Sequence, residues 1–254
     1  MVVGKYKLVS TALIIAALSA LSLPASASSF NPFIIRDAAE INDLGGGKTE
    51  FVTDVTGEKA GLGSNDINGM TLGSISNISI ERFDDITRFT AGSGPAVAPY
   101  LNFWITDGTH YAVVANEPSN PAFQPLYNDG YSLSFADLSD KVAKIYETSD
   151  KSWLPNAGVG LKFADLASFV IMAPTIAELN AGWLGLGTGA PREFGTNVAY
   201  GVNWVFGDTL SNYVTDQTGY IVANASVSAV PLPAAAWLLL SAIGLLGWKG
   251  RKTA

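Results

Sequence analysis

The sequence has no cysteine and one histidine, His110. Without thiols no disulfide can form, so the fold must be held by its apolar interior or by bound ions. One imidazole and no thiolate cannot assemble a zinc site of the usual kind. A serine triad would need His110 as its base, and neither a Gly-x-Ser-x-Gly elbow nor a Ser-x-x-Lys pair occurs. Positive charge is scarce too. Residues 28–229 hold all 22 acidic residues but 10 of the 15 basic ones, a formal charge of −12. Such a surface repels phosphate backbones and argues against nucleic acid as a partner.

Long apolar runs are confined to the two ends. Lys5 and Lys7 precede an apolar stretch over 8–23, and Ala25-Ser26-Ala27 has the small-x-small form that signal peptidase reads. A signal peptide over 1–27, cut after Ala27 with Ala25 and Ala27 as the recognised residues, is expected; a retained transmembrane helix is the competing reading. At the other end Val230-Pro231-Leu232-Pro233 leads into a mostly apolar stretch over 234–248, closed by Lys249-Gly250-Arg251-Lys252. At about 1.5 Å per residue, 230–248 just reaches across the roughly 30 Å of a bilayer's hydrocarbon.

This terminus resembles the PEP-CTERM sorting signal of Gram-negative bacteria that make exopolysaccharide. In that family a Val-Pro-x-Pro motif precedes a Trp/Leu/Gly-rich helix and a basic end, and an exosortase removes the tag. The likeness covers 230–252, about a tenth of the chain; Leu232 stands where the commonest motif has Glu, and Gly250 interrupts the basic end. The resemblance implies that 230–254 is a C-terminal sorting signal with Val230, Pro231 and Pro233 as its recognition motif. It implies that a hydrophobic transmembrane helix holds the chain transiently in the inner membrane, that signal peptidase and exosortase act during export, and that the destination is the cell surface or the extracellular space. An anchor that is never cut is the competing reading.

Between the ends, residues 28–229 have the size of one domain with a substantial core. Short β-rich runs at 50–56, 75–83 and 86–91 lie between turn formers. The run Gly61-Leu62-Gly63-Ser64-Asn65-Asp66-Ile67-Asn68-Gly69 reads as a loop. Asp107-Gly108 between two β-rich runs predicts a hairpin over 100–115 with a two-residue type I′ turn, pairing Thr106 with Thr109, Trp104 with Tyr111 and Asn102 with Val113. Alternation then places Leu101, Phe103, Ile105, His110, Ala112 and Val114 on one face and Tyr100, Asn102, Trp104 and Tyr111 on the other. Phe135, Leu138, Val142, Ile145 and Tyr146 recur at helical spacing and predict an amphipathic helix over 135–147. Phe163-Ala164-Asp165-Leu166 repeats Phe135-Ala136-Asp137-Leu138, and a second helical segment is placed near 163–180. Val198, Tyr200, Val202, Trp204 and Phe206 alternate with smaller or polar residues, and 220–227 reads as the last strand. Strands at both ends with helices between them predict a mainly β domain, an antiparallel, jelly-roll-like β-sandwich with a short helical insertion.

Few residues in this domain carry a chemical signature. Ser64-Asn65-Asp66-Ile67-Asn68-Gly69 resembles the first half of an EF-hand loop, but the bidentate Glu position falls on Ile75, so neither calcium nor another cofactor is expected. Gly45-Gly46-Gly47-Lys48-Thr49 lacks the first glycine of a P-loop, which would fall on Asn42, and Gly185-Leu186-Gly187-Thr188-Gly189 lacks the context of a dinucleotide fingerprint. Glu81, Asp84, Asp85 and Glu117 offer carboxylates near strand ends, yet no spacing singles out an acid and a nucleophile. Tyr100, Asn102, Trp104 and Tyr111 form a candidate sugar face, because flat rings cover the apolar side of a sugar while an amide bonds its hydroxyls. The competing reading makes those rings core, as Trp204 is expected to be. The expectation is a non-catalytic, exported cell-envelope or extracellular-matrix protein with polysaccharide as its partner. A secreted polysaccharide-active enzyme using a carboxylate pair is one alternative, and a self-associating structural or adhesive surface protein is another.

Overall fold

Runs rich in β-branched and aromatic residues, several of them buried on both faces, form short strands that pair edge to edge in antiparallel fashion. The computed structural model describes residues 28–55, 57–89, 97–128, 131–146, 148, 150–181, 189–208 and 218–230. The signal peptide with Ala25 and Ala27, the tag from Pro231 onward with Pro233, and the glycine run over 185–188 lie outside the described residues. The first sheet contains β1 (Asn31–Arg36), β4 (Lys59–Ser64), β11 (Val202–Phe206), β6 (Tyr100–Thr106), β7 (Tyr111–Ala115) and β9 (Lys144–Tyr146) in that spatial order, with the short β10 (Val170–Ile171) also on β6. The second runs β2 (Glu40–Gly45), β3 (Lys48–Val52), β12 (Tyr220–Ala229), β5 (Ile75–Arg82) and β8 (Ser132–Leu133). The protein is mainly β, built of antiparallel sheets, and consistent with a β-sandwich.

Aromatic rings from the two sheets meet in the interior. Phe51 of β3 stacks on Phe206 of β11 with ring centroids 4.2 Å apart, and Tyr220 of β12 meets Phe206 at 5.4 Å. Trp204 is fully buried, as its apolar face predicts, and touches Tyr131 at 5.6 Å. Contacts of this kind, each burying a large apolar area, hold a domain that has no covalent cross-link.

The glycine-rich run over 61–69 is a strand through its first half, contrary to the loop expected. Gly61, Leu62, Gly63 and Ser64 belong to β4, a buried strand between β1 and β11. Two aromatic rings explain the glycines. A Cβ on Gly61 would lie 2.6 Å from Phe33 Cζ, and one on Gly63 would lie 2.5 Å from Tyr200 Cγ. The rings occupy the volume that side chains would fill, so the glycines mark close approach rather than a turn.

Other expected elements shift or break. The strand expected at 86–91 is absent from the described part, 86–89, which turns where the Asp85 carboxylate accepts from the Thr87 N–H and hydroxyl. A short helix, α1 (Gln124–Asn128), precedes the helix expected over 135–147, which ends early: α2, Phe135–Ser139, is capped by Ser134 and Asp137, after which Ile145 pairs with Val114. The apolar residues beyond Leu138 gain more from the sheet than from continued helix, a tertiary override of local periodicity. Over 163–180 there are a 3₁₀ turn, Phe163–Leu166, then β10 and α3, Ile176–Asn180.

The hairpin forms with a different register. Thr106 pairs with Tyr111, Trp104 with Val113 and Asn102 with Ala115, two residues beyond the predicted partners. The loop is 107–110, because Asp107 Oδ1 accepts from the N–H of both Thr109 and His110 at 2.8 Å and Thr106 Oγ1 donates to the His110 carbonyl at 2.6 Å. These side-chain bonds favour the wider turn over the type I′ form. His110 therefore leaves the strand face, with its side chain 44% exposed, Nδ1 3.1 Å from Asp107 Oδ2 and its ring stacked on Trp153.

Both ends of the domain emerge together. Ser28 Oγ donates to the Val227 carbonyl at 3.0 Å and accepts from its N–H at 2.9 Å, and the Val230 N–H donates to the Ser74 carbonyl. Asn31 pairs with Gly63 at this end, whereas Arg36 pairs with Lys59 at the far end of the same ladder, roughly 16 Å away at about 3.3 Å per residue.

Candidate functional site

The even shift in register keeps Leu101, Phe103, Ile105, Ala112 and Val114 on one face and Trp104 and Tyr111 on the other, as alternation predicts, whereas Tyr100 joins the main core and His110 leaves the strand. Trp104, Tyr111 and Val113 do face away from the inter-sheet core, but they sit in a second apolar cluster under Leu179, Ala190 and Ala199. Trp104 and Asn102 are 0% exposed, Tyr100 5% and Tyr111 9%. The four do not make an open face; this corrects their reading as a sugar platform.

Polar atoms of the cover complete the closure. Trp104 Nε1–H donates to the Pro191 carbonyl at 3.1 Å, and Tyr111 OH donates to Glu178 at 3.2 Å. Burial and then the Glu178 charge push the Tyr111 hydroxyl up to about 12. Glu178 also accepts from the Thr175 N–H at the start of α3, the foremost cause of its lowered pKa. Tyr100 packs with the main core, and the side-chain amide of Asn102 makes no hydrogen bond among the described residues.

The carboxylates singled out in the sequence each hold a separate partner. Glu81 accepts from Asn224 at 2.7 Å, Asp85 from Thr87, and Glu117 from Lys144 at 2.5 Å. Asp84 is fully buried against Arg82, whose guanidinium also donates to Tyr131 OH at 2.9 Å. A carboxyl that the sequence did not single out is Glu58, which accepts from the Val55 N–H at 3.0 Å; burial raises its pKa, and the nearby Asp54 charge adds to this. In the half EF-hand stretch, the Asp66 carboxylate accepts from the Ser29 N–H and hydroxyl. No group of three metal-ligating side chains occurs among the described residues.

An open concavity lies at the end away from the termini. It is a cleft of about 480 Å³ where the end of β1 meets the turn over 192–197, lined by Arg36, Asp37, Arg192, Glu193, Phe194 and Asn197 among others. The turn is pinned rather than loose. The Phe194 N–H donates to the Ile34 carbonyl of β1 at 2.7 Å, the Glu193 N–H to the Val198 carbonyl at 2.6 Å, and Asn197 Nδ2 to Asn180 Oδ1 at 2.8 Å. Asn197 takes a left-handed φ of 61°, which its short polar side chain tolerates and which closes the turn. Phe194 is 65% exposed. An exposed ring beside two guanidiniums, carboxylates and an amide can cover an apolar ligand face and bond polar groups at its edge.

One sequence cue existed for half of this site. Phe194 stands in Arg192-Glu193-Phe194-Gly195-Thr196-Asn197, an aromatic in a polar turn rather than in an alternating run. Nothing local tied that turn to Arg36. No family model, curated protein or solved structure matches the chain.

Proposed function

We propose that the chain is an exported cell-envelope or extracellular-matrix protein whose 28–229 domain binds carbohydrate in the cleft beside Phe194 and performs no chemistry on it. The observation that carries the reading is the solvent-open ring of Phe194 set against Arg36, Asp37 and Asn197 in a concave site. The terminal sequence resemblance supplies the location, and signal peptidase, exosortase and the inner membrane are the partners of export. Ser28 and Val230, the first and last described residues, lie together at the end of the sheets away from the cleft, which supports a site held clear of a terminal membrane anchor.

The finer fold reading supports this role. The spatial orders β3-β12-β5-β8 and β4-β11-β6-β7 support the jelly-roll reading, a scaffold that hosts lectins among other functions. The enzyme alternative rests on a carboxylate pair, and Asp54 with Glu58 is the adjacent pair. Neither residue lines the cleft beside Phe194, and Glu58 is engaged by the Val55 N–H at 3.0 Å.

The test is glycan binding by the full-length chain in mild detergent. Phe194→Ala is expected to lower affinity about two- to twelve-fold, the share of a ring contact, with an unchanged melting temperature. Binding that survives the substitution removes this cleft from consideration. Mass measurement of the protein harvested from cells checks export separately, with the intact terminal Ala254 as the adverse result.

A further inference from the structure

We propose that removal of the signal peptide completes a clasp between the two sheets, in which the α-ammonium freed on Ser28 pairs with the Asp66 carboxylate; this rests on the cut after Ala27 and goes beyond it. In a domain without a disulfide, the first two residues after that cut join both sheets at the end where the termini emerge. Ser28 Oγ donates to the Val227 carbonyl at 3.0 Å and accepts from the Val227 N–H at 2.9 Å, which ties it to β12 of the second sheet. Ser29 is tied to the loop that follows β4 of the first, with its N–H nitrogen 2.5 Å and its hydroxyl 2.7 Å from the Asp66 carboxylate oxygens.

Both Ser29 donors are neutral, and among the described residues no lysine, arginine or histidine bridges Asp66. The Ser28 nitrogen is close to that carboxylate by covalent necessity. Successive backbone nitrogens stand at most about 3.7 Å apart, so with the Ser29 nitrogen 2.5 Å from Asp66 Oδ2 the Ser28 nitrogen lies within about 6 Å of it. An opposite charge at that range favours the charged form of an amine. While Ala27 is attached, the same nitrogen is an uncharged peptide amide. Hydrolysis of the 27–28 bond adds one water across it, leaving a carboxylate on Ala27 and an ammonium on Ser28. The cut thus turns a neutral group into a cation beside a carboxylate that Ser29 has fixed in place. Asp66 is exposed, so the pair adds modestly to the clasp that the two serines form through their own hydrogen bonds. The exported chain is held more firmly at its open end than its precursor is.

The experiment uses the processed chain purified from cells in mild detergent. Mass measurement identifies its first residue, and a carbon-13 NMR titration of the reductively methylated α-amine reads how tightly that amine holds its proton. The chain is expected to begin at Ser28, with the α-amine binding its proton at least about three-fold more tightly than a free one, which titrates near 7.7–8.0. Asp66→Asn should return the amine to that range, and Asp66→Glu should keep part of the rise, since the charge stays on a longer arm. The wild-type value needs no variant, so a folding defect in Asp66→Asn leaves the outcome readable. On a chain that begins at Ser28, an amine in the usual range, or a raised one that Asp66→Asn leaves unchanged, overturns the clasp while the export reading stands. A chain that begins at any other residue overturns the clasp and the cut after Ala27 together.

Discussion

Replacing Gly63 by alanine tests the account of β4 directly. Gly63 does not need glycine for its backbone, since its φ is not positive. On chain entropy alone, Gly63→Ala would stabilise by about 0.4–1 kcal/mol. The obstacle is Tyr200, whose Cβ, Cγ and Cδ2 would lie 2.5–2.6 Å from the new methyl. These atoms are the root of the side chain, so rotating the ring cannot clear them. The backbone beneath is tied as well: the Tyr200 carbonyl accepts from Asn203 Nδ2 at 2.7 Å, and the next N–H, of Gly201, donates to Asn65 Oδ1 at 2.9 Å. Overpacking of this kind costs about 1–3 kcal/mol, which for a domain of this size lowers the melting temperature by roughly 2–12 °C. Gly61→Ala should cost less, because its methyl meets the far edge of the Phe33 ring, Cζ and Cε1, which can tilt. Thermal and urea unfolding of Gly63→Ala, Tyr200→Ala and the double variant complete the cycle. The double variant should recover stability relative to additivity by about 0.5–3 kcal/mol. Additive losses, or a neutral Gly63→Ala, would refute the claim that ring contact dictates these glycines.

Two further predictions concern buried charge. Asp84→Asn leaves the Arg82 guanidinium without its buried counter-ion and should cost about 3–5 kcal/mol in urea unfolding, whereas a loss below about 1 kcal/mol would mean that water reaches the pair. Burial lowers the Lys59 pKa, only partly offset by Asp208 at 3.4 Å. In the window between the lowered folded value and the unfolded value near 10.4 the unfolded chain binds more protons, so stability should rise with pH there. Lys59→Met should flatten that rise in denaturation curves recorded from neutral to alkaline pH; a rise of equal size in the variant assigns it to another group.

The hairpin separates what alternation can tell from what it cannot. Side-chain parity over 101–106 and 111–114 survived a two-residue error in register, because period two makes even shifts invisible to face assignment. Whether that face meets solvent depended on α3 and on Pro191, Leu179 and Ala199, which lie far along the chain from Trp104. The helix over 135–147 failed for a related reason. Its apolar spacing fits a helix or a short turn followed by a strand, and the β7 edge decided for the latter.

The sequence by itself determined the mainly β class of the domain, the burial of Trp204, the strands expected over 75–83 and 220–227, which form over 75–82 and 220–229, and the faces of the hairpin's residues other than Tyr100 and His110, since these follow from local periodicity and composition. The tertiary structure alone decided that Gly61 and Gly63 lie in a central strand, that the aromatic face of Trp104 is covered, and that Arg36 and Arg192 share a cleft. Each of those outcomes depends on which distant side chain comes to rest on a given backbone. Chain closure brings such groups together at no cost that local residues record, so no pattern within a short window reports it.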